Sequence, residues 1–213
     1  MEPLTYVSLA GKGESDFTIK KSHFLGHCVR AASGDEAVAF IKEEKDLFKD
    51  ANHNIYAYKT RDGIVKCSDD GEPSGSAGLP VLDVINNMGL DNVAVVVTRY
   101  FGGILLGRGG LARAYSRAAR DSLNAGTIAT FTPFYIANLT FNYSIMGKLD
   151  NYLADKVYIQ DKEFTDKVKY KFYIKAEETD KIFSNVIDFT SNRCIAELEQ
   201  QVYLPVVAGK PII

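Results

Sequence analysis

The sequence is short of the features that mark secreted, membrane-spanning and disulfide-linked proteins. It has no tryptophan and only three cysteines. The cysteines are widely spaced and odd in number, which argues against a disulfide framework and favours a reducing compartment. The longest apolar run, residues 93–97, is far shorter than the roughly 20 residues of a membrane-spanning helix. The first residues also lack the basic start and apolar stretch of a signal peptide. We therefore expect a soluble, cytoplasmic protein with no membrane partner.

The sequence also has little excess of either charge. It contains 25 Lys and Arg residues and 27 Asp and Glu residues, which gives a net charge of -2. No strong field therefore attracts DNA or a membrane surface nonspecifically. One segment departs from this balance, since no acidic residue lies between Asp91 and Asp121. The segment contains five arginines: Arg99, Arg108, Arg113, Arg117 and Arg120.

Three of these arginines fall on one stripe of a predicted helix over residues 111–123. An exposed helix normally carries acids among its basic residues, so a merely solvated surface does not explain their absence. Arginines without acids suit the phosphates of RNA, with Tyr100 or Phe101 as stacking surfaces. Phe101 also fits a hydrophobic core, and we expect it there.

Residues 68–78 and 97–110 together contain eight of the 17 glycines. This density indicates positive φ angles or close backbone approach, and tight turns explain it as well as a ligand does. Backbone N–H groups at Gly75 and Gly78, at the start of a helix, favour an anion, and the Ser74 and Ser76 hydroxyls add donors. The segment lacks the Lys-Ser/Thr pair of a phosphate-binding P-loop.

The acidic residues of the first segment are candidate magnesium ligands or, as we expect, part of a solvated turn: Asp69, Asp70 and Glu72. They lack calcium-loop spacing, and we expect no metal and no cofactor. Residues 107–112 match a dinucleotide-binding pattern loosely, but no acid follows to hold a ribose. His23 and His27 share one side of a strand without a zinc-site pattern, and His53 is expected near a glycine segment.

Hydrophobic periodicity predicts an α+β fold in two domains, residues 1–131 and 132–213. The second half reads strand, helix, strand, strand, helix, strand, which is the ferredoxin-like order. In the first half we expect strands over residues 24–31, 55–60 and 93–97 and helices over 35–48, 78–89 and 111–123. The apolar residues on both sides of 93–97 indicate a central strand.

Both glycine segments resemble the signature of the YigZ/IMPACT family. The likeness rests on SDDGEPSGSAG at 68–78, VVVTRYFGG at 95–103, LG at 106–107 and GGLARAY at 109–115. It implies an N-terminal domain like the second domain of ribosomal protein S five and a C-terminal domain similar to domain V of elongation factor G. Most members carry Thr at the position of Ser76, and many carry a polar or basic residue at that of Leu79, which leaves Leu79 without a ligand role.

The resemblance implies a regulator of translation. Eukaryotic relatives compete for the activator of a starvation-sensing initiation-factor kinase, a partner that a bacterium with the two-domain form would lack, so that activity does not transfer. We expect a non-catalytic protein that binds RNA or the ribosome, in translation regulation or stress response. The expected contact residues are Ser74, Gly75, Ser76, Gly78, Arg99, Tyr100, Gly102, Gly103, Arg108, Arg113 and Arg117. The alternatives are a nucleotide-binding small-molecule enzyme that uses residues 75–78 and a protein-interaction module.

Overall fold

The computed structural model describes residues 5–213, which contain eleven strands and five α-helices. The strands are β1 (Tyr6–Leu9), β2 (Gly13–Ile19), β3 (Ser22–Arg30), β4 (His53–Lys59), β5 (Val65–Ser68), β6 (Val93–Tyr100), β7 (Ile128–Phe141), β8 (Tyr158–Phe164), β9 (Val168–Lys175), β10 (Cys194–Val207) and β11 (Lys210–Pro211). The helices are α1 (Gly34–Leu47), α2 (Gly78–Asn87), α3 (Arg108–Ala125), α4 (Met146–Leu153) and α5 (Thr179–Thr190). Within residues 5–213 no helix is long and apolar enough to span a membrane.

From Tyr6 onward the chain forms two compact units, Tyr6–Thr130 and Phe131–Ile213. The division falls inside β7, which runs without a break through the predicted boundary at 131/132. We refer to these parts as the N-terminal unit and the C-terminal unit.

The N-terminal unit is built on a five-stranded sheet with the order β2-β3-β6-β4-β5 and antiparallel neighbours. The strand β6 lies at its centre, as the apolar run predicts, because both of its faces are covered. Val93, Val95 and Val97 pack on one face against α2 and α3. Ala94 and Val96 pack on the other face against α1. A fully buried strand of this kind needs apolar residues at every position.

The C-terminal unit has the ferredoxin-like arrangement that the sequence predicts. Its strands follow the order β11-β10-β7-β9-β8, and α4 and α5 connect β7 to β8 and β9 to β10. Alternate residues of β7, from Ala137 to Phe141, point into a core shared with Leu149 of α4 and Val186 of α5. The period of two in this strand is therefore the direct result of one buried and one open sheet face.

The structure contains four strands that the sequence pattern did not predict: β1, β2, β5 and β11. The strand β2 reads Gly-Glu-Ser-Asp-Phe-Thr-Ile and is mostly exposed at a sheet edge, so it lacks an apolar alternation. This strand is therefore stabilised by its pairing with β3 and not by the strand propensity of its own residues. Helix α4 begins at Met146, after a 3-10 turn at Tyr143–Ile145, and no side chain within residues 5–213 caps its first turn.

Candidate functional site

Asp69 occupies the helix entry that we predicted to bind an anion. Its carboxylate accepts hydrogen bonds from the backbone N–H groups of Gly75, Ala77 and Gly78 at 2.7, 3.0 and 2.8 Å. Burial raises the pKa of Asp69, but these three donors and nearby Arg108 outweigh it and hold the pKa below its usual value. The carboxylate therefore stays ionised and caps α2 from outside the helix.

The backbone N–H groups of this turn and the Ser76 hydroxyl thus already have internal partners in this structure, and a phosphate site here stays a prediction. The hydroxyl of Ser76 is buried and donates to the carbonyl of Pro73 at 2.6 Å. The carbonyl of Ser74 accepts a hydrogen bond from Arg108 at 2.6 Å. Gly78 is small for a packing reason, since a Cβ there would lie 2.8 Å from the backbone of Ser68. The close approach at Gly78 is therefore to the chain itself.

Glu72 and Arg99 form an ion pair inside the N-terminal unit. Their side chains are only 4% and 5% exposed, and Nη1 of Arg99 donates to Oε1 of Glu72. The hydroxyl of Tyr115 donates to the same oxygen at 2.7 Å, and burial together with this carboxylate raises the pKa of Tyr115. Arg99 also donates to Ser22 at 3.2 Å. The charge of Arg99 already has an internal partner in this structure, and its predicted phosphate contact stays a prediction.

The expectation of a solvated acidic turn is wrong as well, because Asp70 also has internal partners. Its carboxylate accepts hydrogen bonds from Lys45 and from the backbone N–H of Asn54, both at 2.7 Å. Burial raises the pKa of Asp70, but Lys45 and Asn54 outweigh it and lower the pKa. In the part of the chain from residue 5 onward, no cluster of three or more His, Cys, Asp or Glu residues is arranged to hold a metal ion.

His53 stands beside this cluster with one ring nitrogen fixed. Its Nδ1 lies 2.9 Å from the carbonyl oxygen of Asp70, which can only accept, so Nδ1 carries the proton. Its Nε2 lies 3.9 Å from Oε1 of Glu72, beyond hydrogen-bond distance. With Nδ1 as the donor, Nε2 is the ring nitrogen that faces the ion pair, and His53 lies near a glycine segment, as expected.

Of the contact residues predicted at the end of β6 and in the loop after it, only some are open to a ligand in this structure. Gly102 lies against backbone, since a Cβ there would meet Lys21 at 2.0 Å, and its N–H donates to Ser22. Tyr100 donates to Asp50 at 3.0 Å, and Gly103 is an exposed turn residue with φ of +80°. Phe101 is 43% exposed, so its expected place in the core is wrong. Neither Gly102 nor the Tyr100 hydroxyl is free for a ligand in this arrangement.

Exposed Phe101 borders a cleft of about 440 Å³ in the N-terminal unit, which we call the Phe101 cleft. The buried side chains at its inner end are those of Glu72 and Arg99, beside the partly exposed His53. Its walls are apolar, and Arg108 lies at its edge. The apolar lining residues are Pro73, Phe101, Leu105, Leu106 and Leu111. Arg99 and Arg108 thus border one cleft, but the N–H groups of residues 75–78 face Asp69 instead.

Arg113, Arg117 and Arg120 lie on the exposed side of α3, which we call the α3 arginine face. They line a shallow depression of about 400 Å³ together with Ala112, Ser116 and the acidic Asp121. Arg117 pairs with Asp121 at 3.2 Å and lies over the ring of Phe17 at 4.2 Å. Among residues 5–213, no salt bridge involves Arg113 or Arg120. These cations remain available to an external anion.

Comparison with known proteins divides the chain in the same way. Residues 20–123 match the family described as the Impact N-terminal domain, and residues 139–193 match a domain of unknown function. An IMPACT family member from Bacillus subtilis, YvyE, is 33% identical over 203 residues, with 94% of each chain covered. An IMPACT family member from Escherichia coli, YigZ, is 32% identical over 151 residues, which cover 66% of this chain and 74% of the relative.

A solved structure of a hypothetical protein has a similar fold. The likeness has a TM-score of 0.62 at 25% sequence identity and covers 93% of this chain and 99% of the other. It extends across both units, as does the alignment with the Bacillus subtilis relative.

Proposed function

The chain belongs to the IMPACT family, and we propose that it acts there as a non-catalytic protein that binds RNA of the translation apparatus. The observation that carries the proposal is the α3 arginine face, with Arg108 at the first turn of the same helix. Arginine is the side chain best suited to phosphate, because its planar group donates two parallel hydrogen bonds. RNA or ribosome association is the proposed route to a role in translation regulation or stress response.

The local charge supports binding at this face and not over the whole surface. The chain carries a net charge of -2, so a nucleic acid gains nothing from the average field. On α3 the only acidic residue is Asp121, which pairs with Arg117 and leaves Arg113 and Arg120 unopposed. A single-stranded RNA can follow such a narrow basic surface, and exposed Phe101 offers a stacking surface in the same unit.

The contacts of Asp69 count against the alternative of phosphoryl transfer at residues 75–78. A nucleotide phosphate at this helix entry would have to displace a carboxylate that accepts three backbone hydrogen bonds. The two anions would also repel each other at close range. The favourable position for phosphate is therefore on the arginine side chains.

The proposal is tested by fluorescence anisotropy with a labelled single-stranded RNA decamer at about 50 mM salt. We expect the intact chain to bind, and the double variant Arg113→Gln/Arg120→Gln to bind about tenfold more weakly because two phosphate contacts are lost. The matched control removes two exposed lysines from helices of the C-terminal unit, Lys148→Gln/Lys181→Gln, with the same change in net charge.

The control variant should retain the affinity of the unmodified chain. Absence of RNA binding at low salt would overturn the proposal. Equal weakening in the two double variants would also overturn it, because the effect would then come from net charge and not from the α3 arginine face.

A further inference from the structure

The Phe101 cleft has an inner end that is polar but carries little net charge. Glu72 neutralises Arg99 within it, and both side chains are nearly inaccessible to solvent. A carboxylate or phosphate at this depth would meet Glu72, and an ammonium group would meet Arg99. The inner end therefore suits a neutral group that both donates and accepts hydrogen bonds.

Two atoms at this inner end lack hydrogen-bond partners in the described chain. Nε of Arg99 is buried and donates to nothing within residues 5–213, although a buried N–H group normally has an acceptor. Nε2 of His53 is an acceptor when the ring is neutral, because Nδ1 holds the proton against Asp70. Nε of Arg99 is shielded from solvent, so the group that an occupant of the cleft can reach is Nε2 of the partly exposed His53, to which it would donate.

The walls require a different chemistry from the inner end. Phe101 and Leu105 are 43% and 81% exposed, which leaves an apolar surface open to water. The guanidinium of Arg99 lies 5.2 Å from the centre of the Phe101 ring and fixes one side of that ring. A flat apolar body could stack on the open side of the ring and against Leu105.

The edge of the cleft favours negative charge. Arg108 lies there and is exposed, and its hydrogen bond to the carbonyl of Ser74 leaves other N–H groups of the side chain facing solvent. Arg108 is also about 8 Å along the helix axis from Arg113 on the α3 arginine face. A strand of a few nucleotides can therefore contact both arginines.

We propose that the Phe101 cleft binds one nucleotide, with its base inside the cleft and its phosphate on Arg108. A base edge is neutral and carries both donors and acceptors, the base plane stacks on an aromatic ring, and the phosphate is anionic. The proposal that this nucleotide belongs to an RNA strand rests on the proposed function. A free mononucleotide has the same chemistry and is the other possible source.

The test compares two labelled decamers of equal length and charge, one of single-stranded RNA and one of abasic 1′,2′-dideoxyribose phosphates. The intact chain should bind the RNA at least about fivefold more tightly, because only RNA can place a base on Phe101. The variants Phe101→Ala and Leu105→Ser should remove this preference and leave the affinity for the abasic decamer unchanged. The control variant Leu47→Ser alters an exposed leucine at the end of α1 and should retain the preference for RNA over the abasic decamer.

The outcomes separate this inference from the proposed function. If both decamers bind equally and Phe101→Ala and Leu105→Ser change nothing, the proposal that the Phe101 cleft binds a nucleotide is overturned. RNA binding by the α3 arginine face is then unaffected. If neither decamer binds, the proposed function fails, and a titration with adenosine 5′-monophosphate followed by backbone amide NMR decides about the cleft. Shifts confined to residues around Phe101 would then support a free nucleotide as the occupant, and no shifts would overturn the inference.

Discussion

At the scale of single residues, the buried carboxylate of Glu72 ties distant parts of the sequence together. Its carboxylate joins three parts of the N-terminal unit, because Arg99 comes from β6, Tyr115 from α3 and Glu72 itself from the loop before α2. Removal of one member of a buried ion pair leaves the other charge without compensation in a medium of low polarity. The pair is therefore costly to break, even if it contributes little compared with apolar packing.

We expect Glu72→Gln to lower the free energy of unfolding by about 3–5 kcal/mol, since the shape is kept and the charge of Arg99 is left unpaired. Urea unfolding followed by circular dichroism measures this loss. Asp121→Asn is the matched control, because it breaks an arginine–carboxylate pair that is half exposed and should cost less than about 1 kcal/mol. Similar losses in the two variants would contradict the buried role of Glu72.

The same residues show why this part of the site could not be predicted from the sequence. Asp69, Asp70 and Glu72 are close together in a glycine-rich segment, which is typical of a solvated turn. The partners of Glu72 lie 27 residues away at Arg99 and 43 residues away at Tyr115, and only the folded N-terminal unit brings them together. Composition reports charge and not pairing, so the sequence alone places Arg99 in one group with the arginines of α3.

At the scale of elements, helix α1 is attached to the sheet by a partly buried ion pair. Nδ1 of His27 on β3 lies 2.6 Å from Oε2 of Glu44 on α1, and both side chains are less than one fifth exposed. The close carboxylate of Glu44 raises the pKa of His27, burial opposes the shift, and the charge of Glu14 adds to it. The His27 ring also stacks on Phe48.

This pair should make the attachment of α1 dependent on pH. Because the pKa of His27 is higher in the folded chain, its contribution is complete below the pKa of an unfolded histidine and is lost as pH rises through the folded value. The stability advantage of the unmodified chain over His27→Gln should therefore shrink by about 1 kcal/mol from about pH 5 to about pH 9. Urea unfolding at each pH measures it.

The control is His23→Gln, because His23 and its partner Asp16 are much more exposed and screened by water. The difference in unfolding free energy between His23→Gln and the unmodified chain should change less over the same pH range. An advantage of His27 that stays constant or grows with rising pH would contradict the assignment.

The elements themselves were predictable where burial imposes a period on the sequence. The alternation in β7 and the unbroken apolar run in β6 both reflect how many faces of the strand are covered. The helix starts were less predictable, because α2 is capped by Asp69 from outside and α4 has no side-chain cap at all. Edge strands such as β5 escaped prediction because pairing with β4 defines them.

At the scale of the whole molecule, charge is balanced overall and uneven in detail. The net charge of -2 means that salt has little effect on an average collision with RNA. If RNA binds as proposed, we expect its salt dependence to come from phosphates held at short range on α3, where four arginines are exposed. The number of bound phosphates is readable from the slope of affinity against salt.

We expect the logarithm of the RNA association constant to fall with the logarithm of salt concentration with a slope of about -3, as four contacts to single-stranded RNA would give. Arg113→Gln/Arg120→Gln should reduce the magnitude of that slope by about 1.4, because two released counterions are removed. Anisotropy titrations over a series of salt concentrations measure both slopes. Lys148→Gln/Lys181→Gln should leave the slope unchanged, and a slope that follows net charge in both double variants would place the contacts elsewhere on the molecule.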